Sequence, residues 1–371
     1  MRVVERPKEY LLFNAFLVFF AVHTNQVGVG MAGFQRIIFE EAKHDAWVSV
    51  IISVVVVHII TYLIIKTLEI YESTDLYGVH HDVYGKHLGR IMSCIYIFYL
   101  MTAISIILRT YTEIVQTWVF PDIPNYLIAF FILFLVLYGV RGGIRAVVGV
   151  CFLSFILTFW MLLFSYYPLQ FAEWNQILPI LESDLKSLIR GAYKMSFTIV
   201  GFEIIYFIYP FVKEKDKVQK YAHLGLLLTA IVYVGVMIVS LVYFSQGQMM
   251  SVIFGTITMF KIIQLPFIER FEYLAVSIWM LIILPNLLLI VWAITRGFKR
   301  MFNFKQKNTL YILLPIILVG NLFLGTRVEI NEMTDLTGKF GLALTVIYPV
   351  ILFMMVIIKK KYFAQKSKKE S

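Results

Sequence analysis

Nine stretches of this chain, each 18 to 37 residues long, contain no Asp, Glu, Lys or Arg: residues 10–35, 46–65, 91–108, 123–140, 146–172, 224–260, 273–295, 308–326 and 340–358. A helix needs about 20 apolar residues to cross the hydrocarbon of a bilayer. The chain is 60% hydrophobic and 15% charged over 371 residues, against about 45–50% apolar and 25% charged in a soluble domain. No soluble core of this length hides that much apolar surface, so lipid is the expected solvent.

A tenth span is read over residues 188–212, where Lys194 and Glu203 interrupt an apolar run. The run 224–260 is too long for one crossing. Its Ser245-Gln246-Gly247-Gln248 predicts a helix end near 245 and an outer segment to about 267. Residues 1–8 are mixed in charge, and no small-residue cleavage site ends the run that follows, so a retained first helix is expected.

Of the 33 lysines and arginines, 23 fall on residues 1–9, 66–90, 141–145, 213–220, 296–307 and 359–369. These are alternate connections of a ten-span chain, and the positive-inside rule then puts both termini in the cytoplasm. The net charge of +10 is therefore read as topological and lipid-facing, with no nucleic-acid partner. Cys94 and Cys151 sit in apolar runs without metal or redox spacing and are expected as buried thiols. His80, His81, Asp82 and His87 are expected in a solvated inner loop, with no firm metal spacing.

Two spans fit the apolar template badly. Span 1 reads His23-Thr24-Asn25-Gln26-Val27-Gly28-Val29-Gly30-Met31-Ala32-Gly33. Glycine costs roughly 1 kcal/mol relative to alanine inside a helix, and unwound backbone at membrane depth is tolerated where it lines a cavity. Gly28, Gly30 and Gly33 also match a dinucleotide-binding spacing, but no strand precedes them. Close helix packing at small residues is the bland alternative. Span 6 repeats the theme in Ser196-Phe197-Thr198-Ile199-Val200-Gly201-Phe202-Glu203. A carboxylate at the centre of a span costs about 3 kcal/mol on insertion scales, which makes Glu203 a functional candidate, or else a structural partner for unwound backbone. Interruptions at matching places in two halves point to a transporter-like site, where exposed N–H groups can hold an anionic group. Arg109 and Glu113 are one turn apart and are expected to pair. Pro285-Asn286 predicts a kink in span 8. No phosphate loop, nucleophile elbow or catalytic carboxylate pair is present, which argues against an enzyme; no cofactor or metal is expected.

The chain resembles the B subunit of bacterial spore germinant receptors, the GerAB/GerBB type of endospore germination permease, itself similar to the amino acid–polyamine–organocation transporters. The resemblance rests on Gln26-x-Gly28-x-Gly30 with Arg36, Asp45-Ala46-Trp47-Val48-Ser49, Leu178-Pro179-Ile180, Phe202-Glu203 with Pro210-Phe211, and Ile268-Glu269-Arg270-Phe271-Glu272. It implies an all-α integral membrane fold of ten transmembrane helices in a LeuT-like five-plus-five inverted repeat, with helices 1 and 6 discontinuous. The halves would be residues 10–173 and 186–360, followed by a basic tail 361–371. It also implies a spore inner-membrane location, partner A and C subunits, and a small amino-acid-like germinant bound mid-membrane. Carried over by position, the ligand would meet Gln26, backbone at Val27, Gly28, Val29 and Gly30, and backbone at Thr198, Val200 and Gly201. Tyr99, Ala103, Phe202 and Asn286 would form walls, and Glu203 would hold unwound backbone or answer a ligand ammonium. One departure is Phe34-Gln35, where the family often has Leu-Pro. A working amino acid transporter of the same fold, and a scaffold with a vestigial pocket, are the rivals. The absence of lysine from residues 146–167 weakens simple proton coupling in the former.

Overall fold

The computed structural model describes residues 3–266 and 268–370, the side chains of Phe197 and of residues 362–370 excepted. The helices of the first half are Leu17–Gln26 (α1), Phe34–Ala42 (α2), Ala46–Glu69 (α3), Leu76–Trp118 (α4), Asn125–Arg141 (α5), Gly143–Phe159 (α6) and Tyr166–Leu169 (α7). Those of the second are Leu185–Lys194 (α8), Ser196–Ile199 (α9), Ile205–Ile208 (α10), Val218–Tyr243 (α11), Gln246–Ser251 (α12), Gly255–Phe260 (α13), Phe271–Phe302 (α14), Gln306–Leu322 (α15), Arg327–Leu342 (α16) and Tyr348–Glu370 (α17). The described residues form no strand beyond isolated bridges.

Six helical stretches are long and apolar enough to cross a membrane: Phe34–Glu69, Leu76–Trp118, Gly143–Leu169, Lys215–Tyr243, Phe271–Phe302 and Arg327–Lys361. Asn125–Arg141 and Phe202–Phe211 are shorter apolar helices. Helix α3 shows why lipid is the solvent. Val50, Val57, Ile60 and Ile64 are buried while Val55, Val56, Ile59 and Tyr62 are exposed, so both faces are apolar. A helix that is apolar all round is stable only when protein and hydrocarbon cover it. Helix α14 lies at the centre, packed against α4, α6 and α1, while α11 packs on α1 and α3.

Helix is not confined to the uncharged run that ends at residue 35: after a break, α2 carries Arg36, Glu40 and Glu41 on to Ala42. The expected helix end near 245 is present, with α11 stopping at Tyr243 and Ser245 capping α12 through a reciprocal capping box with Gln248. Backbone stays helical through Pro285 in α14.

Three expectations are corrected. Residues 76–84 are not a solvated loop but the first part of α4, and His80 is fully buried with its Nδ1 2.9 Å from the Ser93 hydroxyl. Gly85, at φ +77°, reverses the chain there and folds that part back on the span. Arg109 does not pair with Glu113. It donates to the carbonyls of Leu324 and Gly325, and Glu113 takes Arg327 at 2.5 Å instead. Cys151 is buried but Cys94 is exposed, because its face of α4 looks outward.

Both ends of the bundle are tied. At one end the Asp45 carboxylate accepts N–H bonds from Leu181 (2.6 Å) and Ser183 (2.9 Å). Burial pushes this carboxyl up, but those backbone donors outweigh it and hold it below the usual carboxylate range. Its contribution is present above the unfolded-state value and is lost as pH falls through the lower folded one. Asp45→Ala is expected to cost about 2 kcal/mol, since bonds to a charged acceptor contribute about 1.5–3. Thermal unfolding in detergent at neutral pH checks this, and the difference from the parent should shrink in acid.

At the other end, Phe13 N–H donates to Phe211 O (2.9 Å) and Lys213 N–H to Phe13 O (3.0 Å), joining the chain before α1 to the end of the α10 segment. Arg296 and Arg300 of α14 meet Glu5 and Asp75 there. Lys359 of α17 pairs with Asp82 at 3.0 Å on the same face.

Candidate functional site

The two interruptions read from the sequence are breaks in the structure, and they face each other. Helix α1 ends at Gln26, Val27 is extended, and a 3₁₀ turn over Val29–Ala32 leads into α2. Helix α9 ends at Ile199, and Gly201 at φ +118° precedes a 3₁₀ turn over Phe202–Ile204 leading to α10.

Glycine is required at Gly201 twice over. Its φ is one that L side chains rarely adopt, and a Cβ there would lie 2.3 Å from Asn25 O. Gly28 is different: its φ is negative, but a Cβ would meet Asn286 Oδ1 at 2.6 Å.

Breaking a helix at membrane depth frees carbonyls that have no water to turn to. Side chains from three helices take them up. Asn25 Nδ2 donates to Gly201 O and Gln26 Nε2 to Ile199 O, both at 2.7 Å, so consecutive amides of span 1 hold span 6. Asn286 Nδ2 on α14 donates to Thr24 O (2.6 Å) and Val27 O (3.3 Å). Tyr233 on α11 bridges the breaks, its hydroxyl 3.1 Å from Gln26 O and 3.3 Å from Thr198 O. Glu203 Oε2 accepts from Gly201 N–H at 2.7 Å, and the Tyr99 hydroxyl donates to Oε1 at 3.5 Å. No Lys, Arg or His pairs with Glu203 among the described residues, although it is only 5% exposed. Of its two expected roles, holding unwound backbone is the one seen in these contacts.

Removing the Tyr233 hydroxyl isolates one of these ties. Tyr233→Phe is expected to cost about 1–2 kcal/mol, because buried acceptors on both breaks lose a donor. A thermal unfolding midpoint unchanged from the parent would contradict it.

A cavity of about 40 Å³ lies between the breaks, on a measure in which one water needs about 10–15 Å³. The structure brings to it Gln26, Gly28, Val29, Gly30, Tyr99, Ala103, Thr198, Val200, Gly201, Glu203 and Asn286 from the sequence reading. Two expected members are elsewhere. Val27 lines a separate apolar cavity of about 70 Å³ on the other side of α1, shared with His23 and Thr24, because it follows them on that face of the helix. Phe202 is fully buried in the bundle and does not line the central cavity. Asn25, Leu100, Ile107 and Ile290 line it without having been singled out. Only Asn25 carried a sequence signal, as part of the polar run before the glycines.

Val29, Gly30 and Thr198 also line a larger space of about 380 Å³, which opens on the face away from the termini. Its wall carries Arg36, Lys194, Arg327 and Lys339 against Glu40 and Asp335. The central cavity thus shares part of its wall with a larger space that carries an excess of positive charge. Toward the termini it is backed by the buried rings of Tyr96, Tyr206 and Phe207.

Apolar helices around a pair of facing mid-membrane breaks define a multi-pass membrane protein of the LeuT-type transporter fold. The chain matches a Na⁺-coupled sialic acid symporter, solved in a substrate-bound outward-open state, with a TM-score of 0.68 over 93% of this chain and 79% of the symporter; at 12% identity the likeness is one of fold. The chain belongs to the spore germination protein family, whose pattern it matches over residues 13–330. It is 35% identical to Spore germination protein GerQB of Bacillus cereus, across 96% of this chain and 98% of that one. Identity to Spore germination protein A2 of Bacillus subtilis (strain 168) is 22%, across 95% and 97% of the two chains.

Proposed function

We propose that this chain is the ligand-sensing membrane subunit of a spore germinant receptor, binding a small amino-acid-like nutrient in the central cavity and triggering germination without chemical change to the ligand. The observation that carries this is the convergence of both broken spans on one cavity, which adjoins the larger charged space. Unpaired acceptors point to a ligand with donors: Asn25 Oδ1 and Gln26 Oε1 are buried without a partner, and Glu203 is beside them. A cavity of about 40 Å³ favours a small ligand.

In this reading α1 with α2, and α8 with α9 and α10, are each one broken span. They bring the total to ten crossings in halves 10–173 and 186–360, with both termini cytoplasmic in the spore inner membrane. The A and C subunits are the partners. The fold likeness to a symporter supports a second reading, an amino acid permease. Labelled amino acids offered to proteoliposomes of the isolated chain separate the two. Saturable binding without accumulation is expected, and accumulation would overturn the receptor-only reading.

A further inference from the structure

The cavity on the far side of α1 differs in kind from the central one. It holds about 70 Å³ on a measure in which one water needs about 10–15 Å³, room for one compact molecule with the bulk of about five waters. Among the described residues no Asp, Glu, Lys or Arg lines it. Its walls are rings and thioethers: Phe155 and Phe159 of α6, Phe260 of α13, Trp279 of α14, with Met161 and Met259.

The threonine hydroxyls and the imidazole in that lining are already engaged. Thr24 donates to Phe20 O at 2.7 Å, Thr158 to Ser154 O at 2.8 Å and Thr256 to Met31 O at 2.6 Å, while His23 Nδ1 lies 2.9 Å from Thr229 Oγ1. A buried water makes two to four hydrogen bonds, and an apolar cavity that cannot offer them stays dry and takes up apolar molecules. Trp279 is 1% exposed, and its Nε1 is a buried donor with no hydrogen bond within the protein. One acceptor on an occupant would satisfy it. Phe159 is 44% exposed on the outward surface of α6, so one edge of the cavity borders the lipid, where uncharged apolar molecules concentrate.

The cavity also touches the break of span 1 from behind. His23, Thr24 and Val27 before the break and Met31 after it are lining residues. The same stretch is held from the central side, where Asn286 Nδ2 takes Thr24 O and Val27 O and the Gln26 side chain binds Ile199 O. Thr256, which holds Met31 O, in turn receives Gln35 Nε2 at 2.7 Å. One piece of unwound backbone is thus the partition between two cavities, one polar and one apolar.

We propose that the apolar cavity is a second binding site, for a compact uncharged molecule that is apolar apart from one acceptor. Its occupant supports the broken part of span 1 and so raises amino-acid affinity in the central cavity. The site stands by itself, whereas the coupling rests on the central cavity being a ligand site. An occupant favours the conformation in which its own cavity is open. In that conformation Asn286 and Tyr233 hold the breaks around the central cavity. By linkage each ligand then tightens the other by the same factor.

The probe is 4-fluoroanisole, followed by fluorine NMR on the full chain in detergent. A saturable bound signal of one probe per chain is expected, and it should be lost in Ser154→Leu and in Val236→Phe, which add bulk at two walls. These residues lie on α6 and α11, so if the unfolding midpoint of one variant collapses, the other decides. No saturable signal in the parent, or one that persists in the folded variants, would overturn the site. The analogue 4-fluorotoluene lacks the acceptor and should bind roughly threefold more weakly, as the loss of one modest hydrogen bond implies. That difference should vanish in Trp279→Phe; equal affinities in the parent would overturn the acceptor assignment. Equilibrium binding of the twenty amino acids, with and without saturating 4-fluoroanisole, reads the coupling. A gain of about fivefold, the low end of ordinary coupling, is expected for an amino acid that binds, with the same gain for the probe when that amino acid is present. Unchanged or weakened amino-acid affinity would overturn the coupling. If none of the twenty binds, the receptor reading falls and the coupling with it, while the probe titration still decides the site.

Discussion

Gly201→Ala is expected to lower affinity for the bound amino acid at least tenfold, while Gly235→Ala leaves it unchanged. The first substitution asks for two things the site cannot give. At φ +118° the new methyl group raises the backbone energy, by about 1–2 kcal/mol for a left-handed conformation. The same methyl group would lie 2.3 Å from Asn25 O and 3.0 Å from Gln26 N, both backbone atoms at the end of α1. Backbone at such contacts does not move aside as a side-chain tip would, so the two breaks must part. Parting them strains the bonds from Asn25 to Gly201 O and from Gln26 to Ile199 O that set the cavity's width. A tenfold loss is about 1.4 kcal/mol, within what the strain alone supplies. Gly235 is a fair control, since a Cβ on its face of α11 meets nothing within 4 Å. Equilibrium binding to both variants in detergent, alongside their unfolding midpoints, checks the pair. Full affinity in Gly201→Ala would sink the facing-break site.

The location of the breaks was legible because glycines and amides are conspicuous in an apolar span, and because span 6 carries a carboxylate. That local signal marked the two breaks, whereas wall residues such as Tyr99 and Ala103 came only from the positions of the resembling family. What joins the breaks was not legible. Tyr233 is one tyrosine among 22, and nothing in the sequence places its hydroxyl between Gln26 O and Thr198 O. Arg109 and Glu113 show the limit of neighbour rules. The one-turn pair was available, but the turn before α16 offers Arg109 two carbonyls and presents Arg327 to Glu113. His80 fails for a related reason. A polar stretch next to a span reads as solvated, yet Gly85 folds residues 76–84 back and buries the ring. Helix phase explains Val27, which follows Thr24 onto the far face of α1 while Asn25 and Gln26 look into the cavity.

Asp75→Ala should be the most destabilising single change at the end of the bundle that carries the termini, at about 3–5 kcal/mol, the usual cost of removing one partner from a buried ion pair. Asp75 is 0% exposed, and its carboxylate is 3.0 Å from Arg300 Nε and 3.9 Å from Arg296 Nε. It also caps α4, accepting from Gly78 N–H at 2.9 Å. Glu5 touches the same two arginines but is 21% exposed on its side chain. It is less desolvated than Asp75, and glutamine keeps a polar group beside both arginines, so Glu5→Gln should cost less than either Asp75 variant. Asp75→Asn divides the effect: asparagine still caps a helix, so what it loses measures the charge. Unfolding of the three variants in detergent is expected to rank Asp75→Ala above Asp75→Asn above Glu5→Gln. Equal losses for the two Asp75 variants would assign the whole effect to charge. Equal losses for Glu5→Gln and Asp75→Asn would mean that burial does not set the strength of these pairs. The arginines also hold Val3 O and reach the ring of Phe211, where the chain before α1 joins the end of span 6. Loosening them should therefore be felt at both broken spans, and Asp75→Asn is expected to weaken ligand binding although it lies outside the cavity. Unchanged affinity in a measurably destabilised Asp75→Asn would show that this end of the bundle and the central cavity are independent.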